Sequence, residues 1–483
     1  MSANPMFTLE QALAWVPGAR LVGSAGTPIT RVHTDTRSLA AGDLFVALKG
    51  ERFDANQFLG QAKSAGASAA MAHGGLEAAG LSGLEVPDTL TALGALANGW
   101  RRKFQLPLIA VTGSNGKTTV TQMIAAILAV SAGEGGSLAT RGNFNNEVGL
   151  PLTLMRLGRQ HRLGVVELGM NHPGEIARLG AIAQPTIALV NNAQREHQEF
   201  MATVEAVARE NAAVFASLPA DGTAVFPHGD AFTELWTELA TEGAQRRCIT
   251  FGAHADADVS LVDATWRGSV WDVRVRTPVG RLECQLRIAG RHNVINAMAA
   301  TACALAAGVS LAEIAQGLNA FEPVGGRSNA RVLRRADGQA ITVVDDTYNA
   351  NPDSMRAAID VLAALPAPHL LVIGDMGEVG NQGPEFHAEI GSWAATRGIE
   401  CVYALGAESA HSIHAFESGS MGAGESRHFD NDQIEPLNDA VRSKLSAVSS
   451  VLVKGSRFMK MERVVQAIAA HIKNNDSEEA GHA

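Results

Sequence analysis

The residues Thr112-Gly113-Ser114-Asn115-Gly116-Lys117-Thr118-Thr119 stand between an apolar run and a segment with helical periodicity. Small residues there let backbone N–H groups wrap a polyphosphate, and a helix N-terminus facing the anion adds to the attraction. Lys117 is placed to neutralise the β- and γ-phosphates and Thr118 to ligate Mg²⁺, with Gly113, Ser114, Asn115, Gly116 and Thr119 completing the cradle. A strict version of the pattern has glycine at position 111, where this chain has Val111. The plainer alternative is a Gly-rich turn with a solvated lysine. Strand, loop and helix nevertheless come in the order that phosphate binding needs, so ATP with Mg²⁺ is the expected ligand.

Phosphate chemistry needs metal ligands at the ends of neighbouring strands. Glu167 directly follows Leu163-Gly164-Val165-Val166, and His197 follows the apolar run Thr186 to Val190. A lone histidine is more often a surface or core residue, so His197 gains weight only in combination with Thr118 and Glu167. Asn296 is either a polar residue on a helix face or an adenine reader, and on composition alone the helix-face reading is favoured. Arg327, after Gly325-Gly326, is a fixed cation on a flexible joint; it is either a linker residue or a group that reaches a γ-phosphate when two domains close. The run Asp345 to Ser354 is dense in polar groups just after a strand, where open α/β sheets bind ligands. Lys454-Gly455-Ser456-Arg457 repeats that arrangement with positive charge, which suits a carboxylate.

Bringing these groups together requires several α/β units. The chain has 483 residues, 46% of them hydrophobic, which predicts two to four domains with their own cores and excludes disorder. Residues 1–105 read as a small α/β domain: helical periodicity over Thr8 to Trp15, a strand near Asp43 to Leu48, and an Ala-rich stretch from Ala62 to Ala79. Residues 106–326 hold the loop described above, a helix from Lys117 through Val130, and short apolar strands that suit a parallel sheet buried on both faces. Val270 to Ile288 alternates around Pro278 and Gly280, which predicts a hairpin forming a small antiparallel appendage. Residues 327–483 repeat the α/β pattern, with strands at Ile341 to Val344, Leu370 to Ile373, Val402 to Leu405 and Val451 to Val453, and a polar tail from Asn474 expected to fray.

Composition narrows the function classes. Lys plus Arg number 39 against 49 Asp plus Glu, a net charge of −10 that disfavours a general nucleic-acid coat. Cys248, Cys284, Cys303 and Cys401 lie far apart, so structural thiols in a reducing cytosol are expected rather than a zinc site or disulfide framework. The start carries no Lys or Arg before Arg20, unlike a secretory leader, and apolar runs such as Met123 to Val130 fall short of a membrane span of roughly 20 residues. A soluble cytoplasmic protein is expected, and nothing demands an assembly beyond a monomer.

With these residues in view, the sequence resembles the Mur ligases. The resemblance runs through His33-Thr34-Asp35-Thr36-Arg37, Gly42 to Gly50, the loop at Gly113, Asn143 to Gly149, Glu167-Leu168-Gly169-Met170, His292 to Asn296, Tyr348 to Ser354, Gly374-Asp375-Met376-Gly377-Glu378 and Leu452 to Arg457. The Asp-Asn-Pro-Arg signature of the diaminopimelate-adding branch is absent, and Gly374 to Glu378 looks like the branch that adds D-alanyl-D-alanine to UDP-N-acetylmuramoyl-tripeptide. It implies three domains: a small N-terminal α/β domain for the UDP-sugar, a central P-loop parallel sheet for ATP, and a C-terminal Rossmann-like α/β domain that helps bind the dipeptide. On that likeness Asp35, Arg37 and Lys49 would sit near the UDP moiety, and Thr140, Asn143, Asn145 and Asn146 would line the muramoyl-peptide channel. Asn296 would take adenine and Arg327 phosphate, while Asp346 and Tyr348 would approach ATP. Lys454, Ser456 and Arg457 would meet peptide termini, with Asn349, Asn351 and Asp353 shaping the dipeptide site.

One departure stands out. The family commonly carries a carbamylated lysine on the helix after the histidine ligand; here Asn211 occupies that place, and no lysine occurs between Lys117 and Lys444. The expectation is that Glu210, Asn211 or a water supplies the oxygen instead. The chemistry implied is attack of a peptide carboxylate on the γ-phosphate, with Lys117, Glu167, His197 and Arg327 as the catalytic clamp, then capture of the acyl phosphate by an amine. Other readings are a related ligase for a different muramoyl-peptide or folate-type acceptor, a P-loop kinase, and a non-catalytic ATP-gated binding protein.

Overall fold

The computed structural model describes residues 4–480, apart from Glu51, Arg52, His197, Gln198, Ala202 and Ala336. Three large sheets follow one another along the chain. The first has five strands in the order Arg20–Val22, Gly83–Glu85, Ala69–Ala72, Asp43–Val46, Arg31–His33, parallel except for the first pair. Its helix Leu9–Trp15 starts where the sequence places it, because Thr8 and Gln11 form a reciprocal capping box over the free N–H groups.

The central sheet has nine strands. Leu108–Thr112 lies between Leu163–Glu167 on one side and Ile187–Val190 on the other, and all of these pairings are parallel. The chain leaves Leu108–Thr112, builds the Ser137–Ala139 and Leu163–Glu167 side, then crosses to Ile187–Val190, so the strand order reverses at that strand. Such a reversal opens a crevice at the strands' carboxyl ends. Val111, where a strict phosphate-loop pattern has glycine, is a fully buried strand residue, and the turn begins two residues later.

The hairpin Trp271–Thr277 with Gly280–Leu286 forms as expected, but it is not an appendage. Through Val259–Trp266, which pairs in parallel with Arg247–Gly252, it extends the central sheet. The reason lies on one face of the alternation: Val273, Val275, Leu282 and Leu286 are buried in the core that also holds Ile314 and Leu318 of the helix Leu311–Ala320.

The third sheet has the order Asn329–Arg334, Ala340–Asp346, Ser450–Lys454, His369–Gly374, Cys401–Leu405, Glu425–Phe429, with only the first strand antiparallel. The last helix spans Glu462–Ala480 and buries Val464, Ile468 and Ile472 in its first part; residues 481–483 of the polar tail lie outside the described residues.

Packing divides the molecule unequally. Phe7, Leu9, Leu44, Met71, Leu93 and Leu96 share one continuous core with Leu154, Leu168, Leu179, Phe215 and Trp236 of the central segment. The C-terminal sheet instead has a core on each face, around Val344, Ile359 and Leu371 on one side, where Ala289 and Trp266 of the central segment join it, and around Val372, Tyr403 and Ile468 on the other. Among the described residues no helix is long and apolar enough to cross a membrane.

Candidate active site

A cleft of about 850 Å³ opens at the reversal point of the central sheet and is closed on its far side by the C-terminal domain. From the central segment it is lined by Ser114 to Thr119, Asn143, Asn145, Asn146, Glu167 and Asn296; from the C-terminal segment by Arg327, Asp346, Tyr348, Asn349, Asn351, Asp353 and Lys454.

The phosphate loop joins Leu108–Thr112 to the helix Lys117–Ala132. Two of its residues must be glycine. Gly113 has φ +127°, and a Cβ there would lie 3.0 Å from the Asn191 backbone nitrogen. Gly116 has φ +79°, and a Cβ would lie 2.7 Å from Asn296 Oδ1. Asn296 is held from both sides: its Oδ1 accepts from Asn191 Nδ2 at 3.0 Å, and its Nδ2 donates to Asn293 Oδ1 at 2.8 Å. Lys117 Nζ donates to the carbonyls of Gly113 and Ser114, and stands 3.5 Å from Glu196 Oε2. The ammonium is thereby folded over the loop where a polyphosphate would lie.

Glu167 ends its strand one step from the loop and is 2% exposed. Thr140 Oγ1 accepts its backbone N–H at 2.9 Å, so Thr140 sets the strand end rather than lining the cleft. Asn145 Nδ2 donates to Glu167 Oε1 at 2.8 Å, while Oε2 is buried with no hydrogen-bond partner among the described residues. An anionic oxygen left so is costly unless a cation completes it, and Thr118 lines the same space. Thr118 and Glu167 therefore fit a hard divalent cation such as Mg²⁺. His197 lies outside the described residues.

On the opposite wall the Arg327 guanidinium stacks over the Tyr348 ring at 4.0 Å, which fixes a cation facing the phosphate loop. Lys454 Nζ donates to Asp346 Oδ2 at 2.6 Å and to the Asn349 carbonyl at 2.9 Å. Burial alone would raise the Asp346 carboxyl, but Lys454 and the Ser328 N–H hold it below the usual carboxylate range. His292 also lines the cleft. Asn351 caps the helix Pro352–Ala363 and donates to Asn115 Oδ1 at 2.9 Å, joining the C-terminal domain to the phosphate loop.

The structure does not gather every expected residue here. Ser456 is buried, accepting from Gly377 N–H and donating to the Ala350 carbonyl, and Arg457 pairs with Glu462; neither lines the cleft. Asp35 and Arg37 form an ion pair with each other on the N-terminal domain, and the Lys49 backbone forms an isolated antiparallel β-bridge with Asp54; all three lie away from the cleft lining. Asn146 Oδ1 accepts from Val148 and Gly149 N–H, and Asp353 is gripped by Arg195 at 2.6 Å.

Family models agree with this architecture. The Mur ligase middle domain matches residues 111–304, the Mur ligase glutamate ligase domain residues 330–457, and the Mur ligase family catalytic domain residues 28–101. A UDP-N-acetylmuramoyl-tripeptide–D-alanyl-D-alanine ligase of Escherichia coli is 38% identical over 92% of this chain and 94% of its own length. The chain belongs to the Mur ligase family. A crystal structure of MurF from Acinetobacter baumannii superposes with TM-score 0.85 at 32% identity, covering 97% of this chain and 99% of that one. MurF ligase from Thermotoga maritima in complex with ADP gives 0.79 at 25% identity, covering 92% and 98%.

Within this Mur ligase the place of the family's lysine has a different use. Asn211 is 1% exposed; its Oδ1 accepts from Gly113 N–H at 2.7 Å and its Nδ2 donates to the Val207 carbonyl at 3.1 Å. Both Glu210 oxygens accept N–H groups at the start of the helix Glu175–Ala183, from Gly174 at 2.8 Å and Ile176 at 3.0 Å. Of the oxygens expected to serve a metal there, those of Glu210 and Asn211 each accept a backbone N–H, and neither residue is in the cleft lining.

Sequence reasoning also missed Asn191, Asn192, Gln194, Arg195 and Glu196. They follow the apolar strand Ile187–Val190 as a polar run interrupted only by Ala193, the same strand-end signal that identified Glu167.

Proposed function

We propose that this chain is an ATP-dependent ligase that joins D-alanyl-D-alanine to UDP-N-acetylmuramoyl-tripeptide, forming a C–N bond in peptidoglycan precursor synthesis. The observation that carries the reading is the facing of Lys117, Thr118 and buried Glu167 on one wall by Arg327, Asp346, Tyr348 and Lys454 on the other.

A carboxylate and an amine do not condense in water without activation. In the proposed reaction a carboxylate oxygen of the tripeptide attacks the γ-phosphorus of ATP, the bond to the β–γ bridging oxygen breaks, and ADP leaves. The amine nitrogen of the dipeptide then attacks the acyl carbon, phosphate departs with its bonding pair, and the nitrogen loses a proton. Two anions approach in the first step, so Lys117 and Arg327 are needed on either side of the transferring group. Thr118 and Glu167, with His197 as the expected third ligand, would hold Mg²⁺, which would supply further neutralisation of the polyphosphate. Asn296 is placed for adenine, and Asn143, Asn145 and Asn146 for the muramoyl peptide. Asp35, Arg37 and Lys49 fit the UDP end of that long substrate because they lie on the N-terminal domain, away from the phosphate loop. Closure of the C-terminal domain keeps water from the acyl phosphate. A cytoplasmic monomer goes with this reading.

The test is phosphate release from Mg-ATP with UDP-N-acetylmuramoyl-tripeptide, with and without D-alanyl-D-alanine, together with the product mass. Release that needs both substrates and yields the pentapeptide-linked nucleotide is expected. Release only with a different acceptor or amine would keep the acyl-phosphate chemistry and overturn the substrates.

A further inference from the structure

The segment after the strand Ile187–Val190 touches two partners at once. Asn192 accepts from the Ser114 and Asn115 N–H groups, through its carbonyl at 3.1 Å and its Oδ1 at 2.8 Å. Gln194 Oε1 accepts from Asn115 Nδ2 at 2.6 Å, and Glu196 Oε2 faces Lys117 Nζ at 3.5 Å. The side chains of residues 192, 194 and 196 therefore all reach the phosphate loop, as alternate positions of an extended chain do.

Arg195, between them, points the other way. Its Nη2 donates to Asp353 Oδ1 at 2.6 Å and its backbone N–H to Asp353 Oδ2 at 2.9 Å, on the helix Pro352–Ala363. Its Nη1 donates to Glu389 Oε2 at 2.7 Å on the helix Gly383–Thr396, and its guanidinium lies 5.4 Å from the Phe386 ring centre. The Arg195 side chain is 23% exposed, so this fork is largely withdrawn from solvent. A lysine could not make two such bidentate contacts at once.

We propose that Arg195 is a positioning residue that couples the seating of the C-terminal domain to the phosphate loop. Because its neighbours grip the loop, pulling Arg195 toward Asp353 and Glu389 draws the loop and the C-terminal wall together. Seating then brings Arg327 and Lys454 to the phosphates in the geometry the reaction needs. The inference rests on the ligase reading for the step that closure serves, but the closure itself is observable without turnover.

The experiment compares wild type, Arg195→Ala, Arg195→Lys and Glu389→Gln by small-angle scattering, without nucleotide and with ADP and Mg²⁺, alongside steady-state kinetics. Arg195→Ala is expected to enlarge the radius of gyration and to lower kcat by about 10- to 100-fold, the scale of removing one partner of a desolvated charge pair. ADP affinity should change far less than kcat, because Lys117 and the loop glycines remain. Glu389→Gln, which keeps the Asp353 fork, should shift both readouts part of the way, and serves if Arg195→Ala does not fold; Arg195→Lys should recover only part of the loss. Wild-type scattering and kinetics in a folded Arg195→Ala protein would overturn the proposal, as would a lowered Tm with an unchanged scattering profile. A scattering shift in a wild type that does not turn over the two proposed substrates would support the coupling and sink the substrate assignment instead.

Discussion

Asn211 Oδ1 accepts the backbone N–H of Gly113 at 2.7 Å, so a buried side chain on the helix Val204–Ala212 props the first turn of the phosphate loop. A second bond, from Thr112 Oγ1 to the Asn211 carbonyl at 3.1 Å, ties the same two segments. No lysine is present at this place to be carbamylated, and activity is therefore expected to be indifferent to bicarbonate. Bicarbonate-depleted assays check this: a loss of activity restored by added bicarbonate would contradict it. Asn211→Ala should cost about 1–3 kcal/mol of stability by stranding the Gly113 N–H, and should raise KM for ATP, both measurable by thermal melts and kinetics.

Lys117→Ala should lower the rate of phosphate release by at least about 10²–10³-fold, the scale seen when a group that stabilises transition-state charge is removed. The fold should survive, because among the described residues Lys117 bonds only to the loop carbonyls and to Glu196. Near-normal turnover in this variant would mean that the cleft is not where ATP reacts.

Asn145→Ala removes the hydrogen bond that orients Glu167 while leaving the carboxylate itself in place. A divalent ion held by Glu167 should then bind about 10- to 100-fold more weakly, as with other partners of metal ligands. Titration of Mn²⁺ in the presence of ADP, followed by its paramagnetic signal, reads this directly, and an unchanged affinity would remove Glu167 from the metal site.

The pair Asp346 and Lys454 gives a pH prediction with a definite sign. The Asp346 carboxyl is held below its unfolded value, so the native state favours its ionised form. Its contribution to stability is fully present above the unfolded carboxylate pKa of about 3.9 and is lost as pH falls through the lower native value. Melting temperatures from pH 7 down to pH 3 should show a smaller acid loss in Asp346→Asn than in the wild type, from a lower starting point. An identical pH slope in both would show that the pair carries no such linkage.

The phosphate loop and the strand-end carboxylate were legible because each depends on a local sequence signal: an apolar strand, then glycines or a charge at its carboxyl end. The parallel sheets were legible for the same reason. The hairpin Trp271–Thr277 with Gly280–Leu286 was visible, but its place in the central sheet was not, since pairing of Arg247–Gly252 with Val259–Trp266 is a tertiary fact. Ser456 and Arg457 looked like ligands because they carry polar groups after a strand. In the structure Ser456 holds Gly377 and Ala350, while Arg457 pairs with Glu462 and lies 5.6 Å from the ring of Tyr348, which lines the cleft. Arg195 could not be read at all, since its partners are 158 and 194 residues away in sequence.

The continuous core shared by the first two sheets limits how this molecule can move. Leu93 and Leu96 pack into the same apolar mass as Leu168 and Leu179, so swinging the N-terminal domain away would expose that mass to water. The C-terminal domain carries cores on both faces of its sheet and meets the rest through polar contacts such as Asn351 with Asn115 and Arg195 with Asp353, and through Ala289 and Trp266 of the central segment, which pack against one of those cores. The three sheets are thus joined unequally, the first two through one apolar mass and the third through a mixed seam of hydrogen bonds, ion pairs and a small apolar patch.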